Sequence, residues 1–187
     1  MHRTGHIGVG LLLYAPIAYV LFATDQPMLA LLGGIGLVVL EPLPDADLDV
    51  PLLSHRGVSH TLLAAGLVGI AVGILSWFAA DGAIEITADY LRERGFRDLA
   101  RASSATGERV DGAVLGAYGF MIGAGAILAH LAADVLTPMG LRPFWPISSR
   151  SVSLDLTRAA NPIANGLLFV LGVLVAASAL WFGLVTG

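Results

Sequence analysis

The chain has 187 residues, of which 56% are hydrophobic and only 13% are charged, and its formal net charge at pH 7 is −4. Soluble domains carry about 25% charged residues, so this composition indicates a membrane protein. The chain has neither cysteine nor lysine, which excludes disulfides, thiolate metal sites and lysine-based covalent or phosphate-binding chemistry. The negative net charge gives no reason to expect nucleic acid as a partner.

Apolar segments recur along the chain at lengths that suit a bilayer. The candidate spans cover residues 7–23, 28–43, 61–80, 113–136 and 162–185. A transmembrane helix needs about 20 apolar residues, with a range of about 17–25. The second segment is marginal, because its uninterrupted apolar run ends at residue 40. We predict an all-α polytopic membrane protein with about five transmembrane helices, organised as a single membrane domain over residues 1–187.

The segment between the third and fourth spans differs sharply in composition. Residues 81–112 contain twelve charged side chains. We predict that this segment is a solvated, charged connecting loop. Apolar residues among the charges suggest that the loop includes a short surface helix, with Gly95 weakening its middle.

Counting membrane crossings places the histidines on one face of the membrane. With five crossings, the amino terminus, residues 41–60 and the end of the fourth span share one side, which we call the amino-terminal face. The loop 81–112 lies on the opposite face and contains no histidine. We predict a functional site at the amino-terminal face. The positive-inside rule distinguishes poorly between the two possible orientations, because the arginines divide equally between the faces. We predict that the amino-terminal face is cytoplasmic.

His130 and Asp134 lie in an otherwise apolar span. Their i, i+4 spacing places them on one face of a helix. Ionisable residues within a span are costly and by default mark a functional site that faces the protein interior. The alternative is a hydrogen-bonded pair that only holds two helices together.

Two acidic residues follow the second span in the sequence PDAD. Pro44 ends the helix, and Asp45 and Asp47 come directly after it. One carboxylate could bind a metal while the other orients a histidine; a polar turn is the alternative. Glu41, just before this element, is a further candidate ligand or general base.

The sequence SHRGVSH precedes the third span. His55 and His60 add imidazoles, and a mixed histidine and aspartate set suits zinc, manganese, iron or a two-metal site. Two-metal sites commonly cleave phosphate esters. Arg56 has a guanidinium that matches two phosphate oxygens, although arginine is also common at membrane interfaces.

These motifs together resemble a known family, the YdjM-like inner-membrane metal-dependent hydrolases, described as LexA-binding and membrane-associated. The matching motifs are Thr4-Gly5-His6, Leu43-Pro44-Asp45-Ala46-Asp47, His55-Arg56-Gly57-Val58-Ser59-His60, and His130 with Asp134, Thr137 and Gly140. The resemblance covers about residues 1–145. It implies a small multi-span protein with a divalent metal, whose ligands would be His6, Asp45, Asp47, His55, His60, His130 and Asp134. It also implies that Arg56 binds the substrate anion and that Thr137 and Gly140 shape the turn after the fourth span.

We therefore expect a membrane-embedded hydrolase that uses one or two divalent ions, zinc or manganese. Its expected substrate is a phosphoester of a lipid or of another membrane-associated molecule. Asp45 or Asp47 would act as ligand or base, and Arg56 would hold the phosphate. Two non-enzymatic alternatives remain, a metal or proton transporter and a scaffold whose polar cluster only joins helices. Spans one, three and five are nearly free of ionisable groups, which disfavours a transport pathway.

Overall fold

A computed structural model describes residues 1–49 and 57–186, and in these two ranges it contains helices and no β-strand. The helices are α1 (Arg3–Ala23), α2 (Pro27–Leu40), α3 (Leu62–Glu93), α4 (Arg97–Arg109), α5 (Gly112–Val135) and α6 (Pro162–Thr186), with 3₁₀ turns at Leu43–Asp49 and Val58–His60. The all-α prediction is confirmed.

Membrane-spanning helices account for most of the described chain. Within the described ranges, five segments are long and apolar enough to cross a bilayer: Arg3–Ala23, Pro27–Asp47, Leu62–Ala80, Gly112–Val135 and Pro162–Thr186. The prediction of about five transmembrane helices is confirmed. The marginal second span becomes long enough because the chain continues past α2 into the first 3₁₀ turn.

The charged segment 81–112, predicted as a connecting loop, is largely helical. Helix α3 continues beyond its membrane-spanning part to Glu93, and α4 packs back along it. Gly95 lies between the two helices at a φ of +84°, a conformation that glycine adopts readily, so it ends a helix and does not weaken the middle of one. Ala100 and Ser103 of α4 are buried, and the Ser103 hydroxyl donates to the Ile84 carbonyl of α3. The segment is amphipathic but too polar for the bilayer, so its helices form outside it.

Two helix pairs dominate the bundle, α3 with α5 and α1 with α6. Small residues let the backbones of such pairs approach closely in a membrane. At the α1–α6 contact, a Cβ atom added to Gly172 would lie 2.4 Å from the Gly8 carbonyl oxygen. These glycines therefore set the distance between α1 and α6.

Tyrosine hydroxyls join α2 to its neighbours inside the membrane. Tyr14 of α1 donates to the Ala30 carbonyl, Tyr118 of α5 donates to the Leu29 carbonyl, and the two hydroxyls lie 3.0 Å apart. Each hydroxyl thus has partners where water is absent. These bonds hold α2 between α1 and α5.

The bundle gathers five helix ends at the amino-terminal face: the starts of α1, α3 and α6 and the ends of α2 and α5. Asn165 of α6 fixes the start of α1, because it accepts a hydrogen bond from the His2 amide and donates to the Ala159 and Asn161 carbonyls. A Cβ atom on Gly5 would lie 2.2 Å from the Asn165 Oδ1 atom. The glycine before His6 thereby allows α1 to lie against α6.

Replacing Gly172 by valine should destabilise the α1–α6 pair, because the added side chain would overlap the α1 backbone. Overpacking typically costs about 1–3 kcal/mol in free energy of unfolding, and circular dichroism melts in detergent would measure the loss. Gly166→Val is the matched control, since open space surrounds Gly166 in the same helix. Equal melting temperatures for the two variants would show that the close contact does not limit stability.

Candidate metal centre

Imidazole and carboxylate side chains from five parts of the chain meet at the amino-terminal face. They are His6 of α1, Glu41 after α2, Asp45 and Asp47 of the first 3₁₀ turn, His60 of the second, and His130 and Asp134 of α5. All are buried except Asp45, whose side chain is 37% exposed. We call this set the polar cluster. Asp45 is its most accessible member.

Four of these side chains direct donor atoms at a common space. The Nε2 atoms of His60 and His130 both lie 3.5 Å from Asp45 Oδ1. The same two nitrogens lie 3.6 and 3.9 Å from Asp134 Oδ2. Ligand distances of about 2.1 Å in a tetrahedral zinc site place donor atoms about 3.4 Å apart. The distances from each histidine nitrogen to the two carboxylates therefore suit a shared divalent cation, and we call these four side chains the four-donor set.

His6 lies on the other side of the Asp134 carboxylate. Its Nε2 atom is 3.3 Å from Asp134 Oδ1, and the amino group of Met1 is 3.3 Å from the same oxygen. His6, His130 and Asp134 form one group whose ligand atoms lie within 4.8 Å of one another, and Asp45, His60 and His130 form another. The cluster thus offers two overlapping donor groups that share His130.

Acceptors face the Nδ1 side of the histidines. His130 Nδ1 lies 2.9 Å from Glu41 Oε1 and 3.0 Å from the Glu41 carbonyl oxygen. Because both atoms only accept hydrogen bonds, Nδ1 carries the hydrogen, and a neutral His130 has its lone pair on Nε2. Within the described part of the chain, His130 Nε2 has no hydrogen-bond partner. A buried lone pair that faces carboxylate oxygens is costly, and a bound cation or a proton on Nε2 would satisfy it.

His60 has a similar arrangement on its outer side. Its Nδ1 atom lies 2.9 Å from the Ser59 hydroxyl oxygen and 3.4 Å from Asp47 Oδ2. The Ser59 hydroxyl donates to Asp47, so its oxygen can accept the His60 Nδ1 hydrogen. Histidine ligands of metals usually donate their second ring N–H to a carboxylate or carbonyl in this way.

The structure brings together most of the residues predicted from the sequence. Asp45, His60, His130 and Asp134 surround the common space, and His6 lies on the other side of the Asp134 carboxylate. Asp47, predicted as a ligand, lies beside the Nδ1 atom of His60 and away from its Nε2 atom. A carboxylate in this position orients the histidine ligand. His55 and Arg56 lie outside the described residues.

Two further residues contribute contacts that the sequence analysis missed or underrated. Ser59 was identified only as part of the motif, and its hydrogen bonds to Asp47 and His60 were not predicted. Glu41 was expected as a ligand or base, but it faces Nδ1 atoms and not the common space. Its signal in the sequence was a lone acidic residue within the second span, a costly placement that by default indicates function.

The turn after α5 holds Asp134 in place. Buried Thr137 donates through its amide and its hydroxyl to the Asp134 carbonyl. Gly140 has a φ of +57°, and a Cβ atom there would lie 2.3 Å from the Val152 carbonyl oxygen. The expected role of Thr137 and Gly140 in shaping this turn agrees with these contacts.

His60→Gln and Asp134→Asn should each weaken divalent-metal binding by at least tenfold, because each removes a donor from the four-donor set. Zinc and manganese affinities of the purified protein, measured by competition with a chromophoric chelator, would check this. His2→Gln is the matched control, since His2 is exposed and outside the cluster. Affinity that is unchanged in both cluster variants would exclude these ligands.

Comparison with known proteins relates the whole chain to one family. A family model described as "YdjM inner membrane protein" matches residues 1–186. The match includes the α3–α4 hairpin and α6 as well as the motifs of the polar cluster. No curated protein and no solved structure gives a significant match.

Proposed function

We propose that this chain, which belongs to the YdjM inner membrane protein family, is a membrane-embedded metal-dependent hydrolase. The observation that carries the proposal is the four-donor set, in which two imidazole nitrogens and two carboxylate oxygens face one space. The expected ions are zinc or manganese, since imidazole suits zinc and carboxylate suits manganese. When bound, such a cation would activate water and polarise a phosphoryl oxygen.

The residues around the cation would divide the remaining work. His60, His130 and Asp134 would hold the ion from the buried side. Asp45 is half-buried, and its Oδ1 atom lies near the Nε2 atoms of both His60 and His130. It would be a ligand or would accept a proton from the attacking water. Asp47 would orient His60 through Ser59.

Residues outside the four-donor set complete the proposed site. His6 would be an additional ligand beside Asp134 Oδ1 and would allow a second ion. The sequence-based proposals for His55 as a ligand and Arg56 as the phosphate-binding residue also stand. These two residues belong to the motif that ends at His60.

The proposed substrate is a phosphoester of a lipid or of another membrane-associated molecule. Support comes from the position of the cluster, which lies at the end of a membrane bundle with Asp45 as its accessible edge. A substrate held in the bilayer would therefore present its headgroup at the depth of the cluster. We further propose that the amino-terminal face is cytoplasmic.

The two non-enzymatic alternatives make different demands. A transporter needs polar groups that continue through the membrane, whereas the buried core beyond the cluster contains Ile127, Ala126, Ile122 and Leu37. This core favours a site at one face over a pathway. A scaffold requires no metal, and the affinity measurements above would identify it.

Purified protein in mixed micelles should hydrolyse phosphoester lipids only when zinc or manganese is present. Chelation should abolish product release and metal addition should restore it, because the cation supplies the nucleophile and the charge stabilisation. Asp45→Asn should lower the rate by at least about a hundredfold, while His2→Gln should not. Hydrolysis that persists after complete metal removal would contradict the mechanism.

A further inference from the structure

Glu41 is a buried carboxylate at the point where the second span leaves α2. It is 1% exposed, and a charge in such a position requires a specific reason. Its Oε1 atom lies 2.9 Å from Nδ1 of His130 and 3.5 Å from Nδ1 of His6. One carboxylate oxygen therefore contacts histidines from two different helices, α1 and α5.

The two histidines, His6 and His130, are arranged so that both Nδ1 atoms lie near one oxygen of Glu41. Their rings lie face to face at a tilt, with centroids 4.0 Å apart. Both Nδ1 atoms point to Glu41, and both Nε2 atoms point to carboxylate oxygens of the cluster, Asp134 for His6 and Asp45 for His130. The backbone carbonyl of Glu41 also lies 3.0 Å from His130 Nδ1, so the whole residue acts as the acceptor.

We infer that Glu41 is a positioning residue that fixes the Nδ1–H tautomer of His130 and so directs its Nε2 lone pair to the cation. The inference rests on the metal-binding part of the proposed function. The Oε1 atom of Glu41 acts from outside the four-donor set, because it faces the His130 nitrogen that points away from that set. Glu41 joins α2 to α5 through hydrogen bonds that depend on which ring nitrogen of His130 carries hydrogen, and it contacts His6 of α1.

Glu41→Leu and Glu41→Gln separate this role from simple packing. Leucine removes the side-chain acceptor, and loss of such a partner typically costs 10–100-fold in metal affinity. Glutamine keeps an amide oxygen that can accept from Nδ1, so it should retain most of the affinity. Glu85→Leu, in the extramembrane part of α3, is the matched control and should bind metal as the wild type does.

The histidine tautomers give a readout that does not require metal. Nitrogen-15 NMR of histidine-labelled, metal-free protein should show Nδ1–H for His130 in the wild type, assigned with His130→Gln. Glu41→Leu leaves only the backbone carbonyl as acceptor and should shift part of this signal toward the other tautomer, whereas Glu41→Gln should retain the wild-type signal. A purely structural role would lower thermal stability in both variants alike and leave the tautomer unchanged.

Coupling between residues tests the hydrogen bond directly. Because Glu41 acts through His130, the affinity losses of Glu41→Leu and His130→Gln should combine to less than their sum in the double variant. Additive losses, or an unchanged tautomer in Glu41→Leu, would overturn the inference. A wild-type protein that binds no metal would remove the proposed function, and the tautomer measurement would then decide the role of Glu41 alone.

Discussion

At the amino-terminal face, buried hydrogen-bond acceptors lie close together, and the rest of the structure depends on how they are satisfied. Asp45 and Asp134 direct carboxylate oxygens at the Nε2 atoms of His60 and His130. In a low-dielectric interior such groups are costly unless positive charge lies between them, because desolvation removes the water that would otherwise screen them. A divalent ion or protons on the imidazoles would supply that charge.

The membrane bundle makes this arrangement possible. It positions the helix ends so that cluster residues far apart in the sequence come into contact. Glycine contacts set the spacing of α1 and α6, and tyrosine hydroxyls hold α2 between α1 and α5. Asn165 and the turn at Thr137 then fix the ends that carry His6 and Asp134. The apolar helices thus act as a rigid support for a polar site at one face.

Much of this organisation could be predicted from the sequence. Hydropathy identifies the spans, since a bilayer imposes a minimum length on each helix. Counting the crossings then brings His6, His60 and His130 to one face, because five spans alternate direction. For the charged segment 81–112 we predicted a connecting loop with one short surface helix, whereas the structure has two helices there, the end of α3 and α4. A helical hairpin outside the membrane has too little apolar content to stand out fully from a loop.

The separate role of each residue in the polar cluster could not be predicted in the same way. Asp45 and Asp47 are two residues apart, and only the 3₁₀ turn determines that one faces Nε2 of His60 and the other faces Nδ1. The position of Glu41 was conspicuous, but its partners lie 35 and 89 residues away, on α1 and α5. Spacing along a chain does not specify which ring nitrogen a carboxylate meets across helices.

X-ray absorption spectroscopy at the metal edge of zinc-loaded protein in detergent would show whether the polar cluster binds a divalent ion. We expect one tightly bound ion with nitrogen and oxygen donors at about 2.0–2.2 Å and the multiple scattering of at least two imidazoles. Absence of tightly bound zinc, or a coordination shell of oxygen atoms without imidazole scattering, would contradict this expectation.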